Sequence, residues 1–241
     1  MWTHWRTHFE THARRPYPGA PADIESIPAA WRAPLCASLA RFALGESGEG
    51  RIAREIERAR IAGIDADYRV ALALFVKEEG RHARILAGMV RSLGGALLRR
   101  NWSERLFVVG RRLLGLRCKL LVLLVAEVVG LGFYTALARR LGQCTIAEQL
   151  RQISADEAMH LEFHVDFFRT QMTGVRARAL FRACWWLVAG LACAVLLLDH
   201  GRQLGRLEIR RRDVAGGLLR LIAEVDRRVL ETRTGAVPAC A

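Results

Sequence analysis

Ile153-Ser154-Ala155-Asp156-Glu157-Ala158-Met159-His160-Leu161 sets a carboxylate and an imidazole three residues apart inside an apolar helical run. Three residues along a helix is one face, so Glu157 and His160 turn together toward whatever core that helix covers. A buried Glu beside a buried His needs something to neutralise and orient both, and a metal cation does so. The same spacing occurs far upstream in Glu79-Gly80-Arg81-His82. Each pair is preceded by a segment with a lone Glu in apolar surroundings, Glu46 before the first and Glu127 before the second.

Working outward from these pairs gives an all-α chain. Leu35, Leu39, Phe42, Ala43, Ile52 and Ile56 predict a first long helix from about Pro34 to Ala62, weakened around Glu46 by Gly45, Gly48 and Gly50. Gly63 reads as a stop and Asp65 or Asp67 as a fresh cap, opening a second helix to about Leu93 that carries Glu79 and His82. A long crossover, Gly94 to Arg117, holds an amphipathic segment at Trp102 to Leu114. Leu120 to Ala138 is apolar enough to span a bilayer, but Glu127 in its middle is costly in lipid and argues for a buried bundle helix. Gly142 ends that helix, and Thr145-Ile146-Ala147-Glu148 has the capping-box form for the next, which runs to about Gln171. Beyond Gly174 lies a fifth helix whose centre, Ala183 to Leu198, reads as buried or as a subunit interface, with membrane association as the lesser alternative. A last helix from about Leu207 to Thr232 carries Arg210, Arg211 and Arg212 on a solvated face.

Counting along the chain tests whether the acids meet. Glu46 precedes Gly63 by 63 − 46 = 17 residues and Glu79 follows it by 79 − 63 = 16; Glu127 precedes Gly142 by 15 and Glu157 follows it by 15. At 1.5 Å per residue both hairpins bring their carboxylates to the same depth, roughly 23 to 25 Å from the turn. Two such hairpins joined by one crossover make a four-helix bundle with Glu46, Glu79, His82, Glu127, Glu157 and His160 at one height, the ligand arrangement of di-iron and di-manganese bundles. Four carboxylates and two divalent cations balance in charge, and oxygen-rich ligation with two imidazoles suits iron or manganese rather than structural zinc. By that logic Glu79 and Glu157 bridge both metals, Glu46 and Glu127 are terminal, and His82 and His160 each hold one.

Residues 34 to 171 resemble the ferritin-like di-iron carboxylate proteins. Leu44-Gly45-Glu46-Ser47 is similar to the first-helix ligand segment of rubrerythrins, and Asp156-Glu157-Ala158-Met159-His160-Leu161 to the fourth-helix segment of ribonucleotide reductase small subunits. The latter resemblance implies that Asp156 hydrogen-bonds the ligating His82. Leu86 stands where those small subunits carry their radical Tyr, and Gly130 where rubrerythrins carry an extra Glu. No Cys pairs supply a rubredoxin centre. The remaining likeness is to oxygen-activating members: hydroxylases, oxygenases and desaturases. It implies two iron ions, alternatively manganese or a mixed Mn/Fe pair, with O2, an organic and apolar substrate, and an electron donor as partners. Iron handling at a ferroxidase site is the first rival reading, and a membrane-surface scaffold with a vestigial site the second.

Neighbouring groups leave alternatives open. Glu49, one turn from Glu46, is either its substitute as ligand or a solvated residue. His164 shares a face with Glu157 and His160 and reads equally as a satisfied core histidine or a contact of the site or substrate. Tyr134, two turns from Glu127, reads as ordinary packing, and Glu78 is expected to face away. In the N-terminal segment Trp2, Trp5 and Phe9 form an apolar stripe, while His4, His8 and His12 recur at i, i+4 and i+8. Such a row can bind metal but is more commonly one exposed face of a docking helix. Residues 1–33 are thus a helix and Pro-rich connector, 34–171 the bundle, and 172–241 two appended helices.

Composition bounds partners more than chemistry. The 241-residue chain carries a formal net charge of +13, which favours anionic lipid or an acidic protein; no nucleic-acid motif is present. Six scattered cysteines without C-x-x-C spacing and an N-terminus lacking an apolar signal core give a cytoplasmic expectation, peripheral to a membrane at most, with a homo-oligomer, a dimer, as the expected assembly.

Overall fold

Helix is the only regular structure among the residues that the computed structural model describes, which are 1–21, 23–47, 50–113 and 115–231, with the side chains of 50, 51, 107 and 109–113 outside that description. The α-helices are α1 Trp2–His12, α2 Ala29–Glu46, α3 Gly50–Arg58, α4 Ala66–Ser92, α5 Trp102–Leu113, α6 Leu116–Leu141, α7 Thr145–Gln171, α8 Val175–Arg206 and α9 Arg211–Leu230. Helices α2 and α4 pack together, α6 and α7 pack together, and α4 meets α7 to close a helical bundle. The core runs along their shared faces through residues such as Leu39, Phe75, Leu124 and Phe163, all buried. Helix α6 keeps two-thirds of its apolar stretch inside, so its hydropathy is that of a bundle core.

Several boundaries follow the expected chemistry. Asp65 caps α4 by accepting from the Tyr68 N–H at 2.9 Å, and Gly142 takes φ +71° where α6 stops. Gly63 adopts φ +83° and lies against Thr170 near the end of α7, so the turn before α4 needs both the left-handed backbone and the missing side chain.

Other boundaries differ from expectation. The first long helix is two helices: α2 ends at Glu46 and α3 begins at Gly50, because the glycines around this point each cost helix about 1 kcal/mol. Helix α2 also starts earlier, at Ala29, inside the segment assigned to the connector. The capping box does not form: Cys144 is the N-cap, and the Thr145 N–H donates to the Asp23 carboxylate at 3.0 and 3.2 Å. A distant acid on the connector thus replaces the local hydroxyl. Helix α8 extends to Arg206, Glu208 turns the chain with φ 57°, and α9 starts at Arg211 rather than near Leu207.

The N-terminal segment is strapped across α4 and α7. Trp2, Trp5 and Phe9 are buried against Tyr68, Phe75 and Phe163, each burial stabilising by roughly 2–3 kcal/mol. Trp2 Nε1 donates to the Gly63 carbonyl at 2.7 Å and Trp5 Nε1 to Asp166 at 3.0 Å. The connector is held by Arg81 to the Pro16 carbonyl, Tyr17 to the Arg84 carbonyl, and Gln149 to the Gly19 carbonyl. Helices α8 and α9 cover α6, with Trp185 buried and donating to the Ile222 carbonyl at 2.9 Å.

Candidate metal centre

Four of the bundle helices carry acids into one place. Glu46 is the last residue of α2; Glu79 and His82 lie on α4, Glu127 on α6, and Glu157 and His160 on α7. All but the half-buried Glu46 are buried. One ligand atom from each of Glu79, His82, Glu157 and His160 falls within 4.8 Å of the others. Glu127 Oε2 lies 3.5 Å from His160 Nδ1. Glu46 sits beside Glu79 and accepts from Tyr134 Oη at 2.5 Å. The structure therefore assembles all six predicted residues, four in a tight group and two at its edges. Glu49, the alternative to Glu46, lies outside the described residues.

The pairing pattern separates the roles. Glu157 presents Oε1 to His82 Nδ1 at 3.1 Å and Oε2 to His160 Nδ1 at 3.6 Å. Glu79 Oε1 lies 2.8 Å from His160 Nδ1 and 3.7 Å from His82 Nδ1. Both motif glutamates thus reach both imidazoles, whereas Glu127 reaches only His160 among these two.

Outward-facing nitrogens are held and inward-facing ones are free. His82 Nε2 lies 3.3 Å from Asp156 Oδ2, as expected, and His160 Nε2 lies 3.1 Å from Glu78 Oε2. A carboxylate only accepts, so each ring donates through Nε2–H and turns Nδ1 inward. Nδ1 of both rings, together with Oε1 of Glu79 and of Glu157, are buried without a satisfactory hydrogen-bond partner. Orphaned polar atoms in a core cost about 1–3 kcal/mol each, and a cation bound by all four would remove that cost.

Glu78 corrects the sequence reading. It is buried and bonded, not turned away, and takes the place for His160 that Asp156 takes for His82. The signal was available: in each motif the residue before the shared Glu is an acid, and each acid holds the histidine of the other motif. The N-terminal segment completes the network. Arg15 donates to Asp156 Oδ1 at 2.7 Å and to His12 Nε2 at 2.7 Å, and His12 Nδ1–H then donates to Glu78 Oε1 at 3.2 Å. His12 is therefore not part of an exposed histidine face: the row runs from exposed His4 through partly buried His8 to buried His12. A group of His12, Glu78 and Asp156 also has ligand spacing, but Arg15 already supplies its positive charge.

Electrostatics follow from crowding acids in a core. Burial, then the neighbouring acids, pushes the carboxyls of Glu46 and Glu127 well above the usual range. Burial works to raise Glu78, but the hydrogen bond and charge of His160 outweigh it and hold that carboxyl down to about 2. Burial likewise works to lower His82, and the hydrogen bond to Asp156 with the negative charge of Glu157 overcomes it, raising the imidazole to about 9. The protons so retained stand where cations would bind, so metal uptake displaces them.

Tyr134 and His164 also depart from expectation. Tyr134 is not mere packing, since it positions Glu46. Neither ring nitrogen of His164 has a hydrogen-bond partner, with Nε2 4.0 Å from Glu127 Oε1, so it is not a satisfied core histidine; burial drives it down to about 3 and keeps it neutral. Gly130 leaves room beside the site, as a Cβ there would lie 3.7 Å from the Glu157 carboxyl carbon and 3.3 Å from the Tyr134 ring.

A cavity of about 130 Å³ reaches the centre from the side away from the histidines. Glu46, Glu79, Glu127 and Glu157 line its inner end, while neither His82 nor His160 does. Its walls combine Phe42, Val122, Leu123, Val129, Val195 and Leu196 with the polar Arg41, Ser103, Glu104, Asp199 and His200. By volume it has room for roughly four waters at liquid density. Comparison with known protein families, with curated proteins and with solved structures finds no match for this chain.

Proposed function

We propose that this chain is a ferritin-like di-metal oxidoreductase that uses O2 to oxidise an organic, apolar substrate. The supporting observation is the set of buried facing atoms: Nδ1 of His82 and His160 and Oε1 of Glu79 and Glu157 converge at close range without a well-formed hydrogen bond, while the opposite faces of both rings are anchored. These donors fit two divalent ions held by Glu46, Glu79, His82, Glu127, Glu157 and His160, iron first, and manganese or a mixed pair second. When bound, two ferrous ions would supply the electrons that reduce dioxygen.

The remaining work falls to the protein. Asp156 and Glu78 fix the tautomer and direction of the histidines, and Tyr134 fixes Glu46. Four carboxylates match the charge of two divalent ions, leaving little net charge in the core. The cavity walls exclude water and orient an apolar group against the carboxylate side of the site.

Metal analysis of the purified protein, followed by single-turnover O2 consumption with and without added reductant, tests the reading. About two metals per chain are expected, with markedly fewer after Glu79→Ala; unchanged stoichiometry in that variant sinks the assignment. Release of ferric product over repeated additions of ferrous ion would instead favour iron handling.

A further inference from the structure

Helix α8 has two faces of different use. Inward, Trp185, Ala189, Ala192 and Leu196 pack on the bundle, and Ala192, Val195, Leu196 and Asp199 line the cavity. Outward, Leu180, Ala183, Leu187, Leu191, Ala194 and Leu198 form an exposed apolar stripe at helical spacing. Leu187 is 72% exposed and Leu198 74%. Only 39% of the apolar stretch of α8 is buried, against 67% for α6, so of the two readings of α8, buried or subunit interface, the single chain does not bury its outer face.

Arginines bound the stripe. Arg176 and Arg182 lie at its start and Arg202 and Arg206 beyond its end, all exposed, and no charged residue interrupts 183–198. Trp102 stands at that end of α8: it is 50% exposed, its indole N–H donates to Asp199 Oδ1 at 3.0 Å, and exposed Arg99 and Arg100 precede it closely in the chain. Leucines flanked by arginine and a boundary tryptophan, on a chain of formal charge +13, match the chemistry of an anionic bilayer surface. A second copy of the chain is the poorer fit. Whether two α8 stripes ran parallel or antiparallel, arginines would meet arginines at both ends. Spanning is also the poorer fit, because sixteen residues rise only about 24 Å and the inner face is already packed on protein.

We infer that the outer face of α8, with Trp102, docks this protein on an anionic lipid surface, the helix lying in the interface rather than crossing it. The docking does not depend on the metal assignment. Where that assignment also holds, the cavity lined by the inner face of the same helix lies next to the lipid.

Flotation of the full chain with phosphatidylglycerol-containing vesicles and with phosphatidylcholine vesicles tests the proposal. Binding to the first and not the second is expected, weakened by salt, and Leu187→Glu with Leu191→Glu should lower the bound fraction at least about tenfold. Both positions are exposed, so helix content and metal content should stay at wild-type values in that variant, which separates loss of docking from loss of the centre. Equal binding to neutral vesicles, or full binding by the double variant, overturns the proposal. So does a lipid-free dimer that the double variant splits while the wild type ignores vesicles, since the stripe would then join two copies.

Discussion

The two halves of the metal centre are built on one plan and differ in what stands behind it. In one, His82 leans on Asp156, which takes a hydrogen bond directly from the Arg15 guanidinium. In the other, His160 leans on Glu78, which faces His12, a ring whose Nε2 accepts from Arg15 and which therefore donates in a neutral tautomer. The negative charge behind His82 is thus matched by a full positive charge, and that behind His160 is not. An imidazole backed by an uncompensated carboxylate is the better donor, so this difference would make the two proposed metal positions inequivalent.

The comparison can be broken outright at the shared ligands. Glu157→Ala removes the side chain that gives a different oxygen to each histidine, and metal content should fall at both positions together; loss of a single metal, by elemental analysis, would show that the halves bind independently. Removing the supporting acids one at a time sharpens it. Both Glu78→Gln and Asp156→Asn should weaken metal binding by roughly 10- to 100-fold, with Glu78→Gln the larger of the two in competition against a chelator. Equal losses would mean that Arg15 does not distinguish the sides. Tyr134→Phe should matter least: it deletes one hydrogen bond to Glu46, about 0.5–1.5 kcal/mol, leaving metal number unchanged, and a lost metal would place Glu46 more centrally than the geometry does.

Much of the site was legible because it depends on helical periodicity alone. Glu79 with His82 and Glu157 with His160 share a face by spacing, and equal depths from Gly63 and Gly142 set them level. Asp156 was legible through a resemblance, but Glu78 was not inferred from the matching place in the other motif. On a bare bundle Glu78 points about 100° away from Glu79, toward what would be solvent; α1 lies there instead and brings His12 against it. The capping of α7 by Asp23 was hidden for the same reason, since 122 residues separate the acid from the N–H it accepts. The break between α2 and α3 was signalled by glycines without being placed by them. The exposure of α8 was beyond the sequence, because Ala183 to Leu198 has the same hydropathy whether or not another element covers it.

The strap formed by the N-terminal segment carries a consequence for biosynthesis. Trp5 bonds to Asp166 and Arg15 to Asp156, so this segment, which leaves the ribosome well before α7, finds these partners only when α7 has emerged. Until then the histidine-backing acids lack their cover, and a nascent chain meets the cell's metal pool with its coordination sphere half assembled. Any metal loading would therefore belong to the finished polypeptide, and a fusion that delays docking of α1 would delay assembly of the site with it.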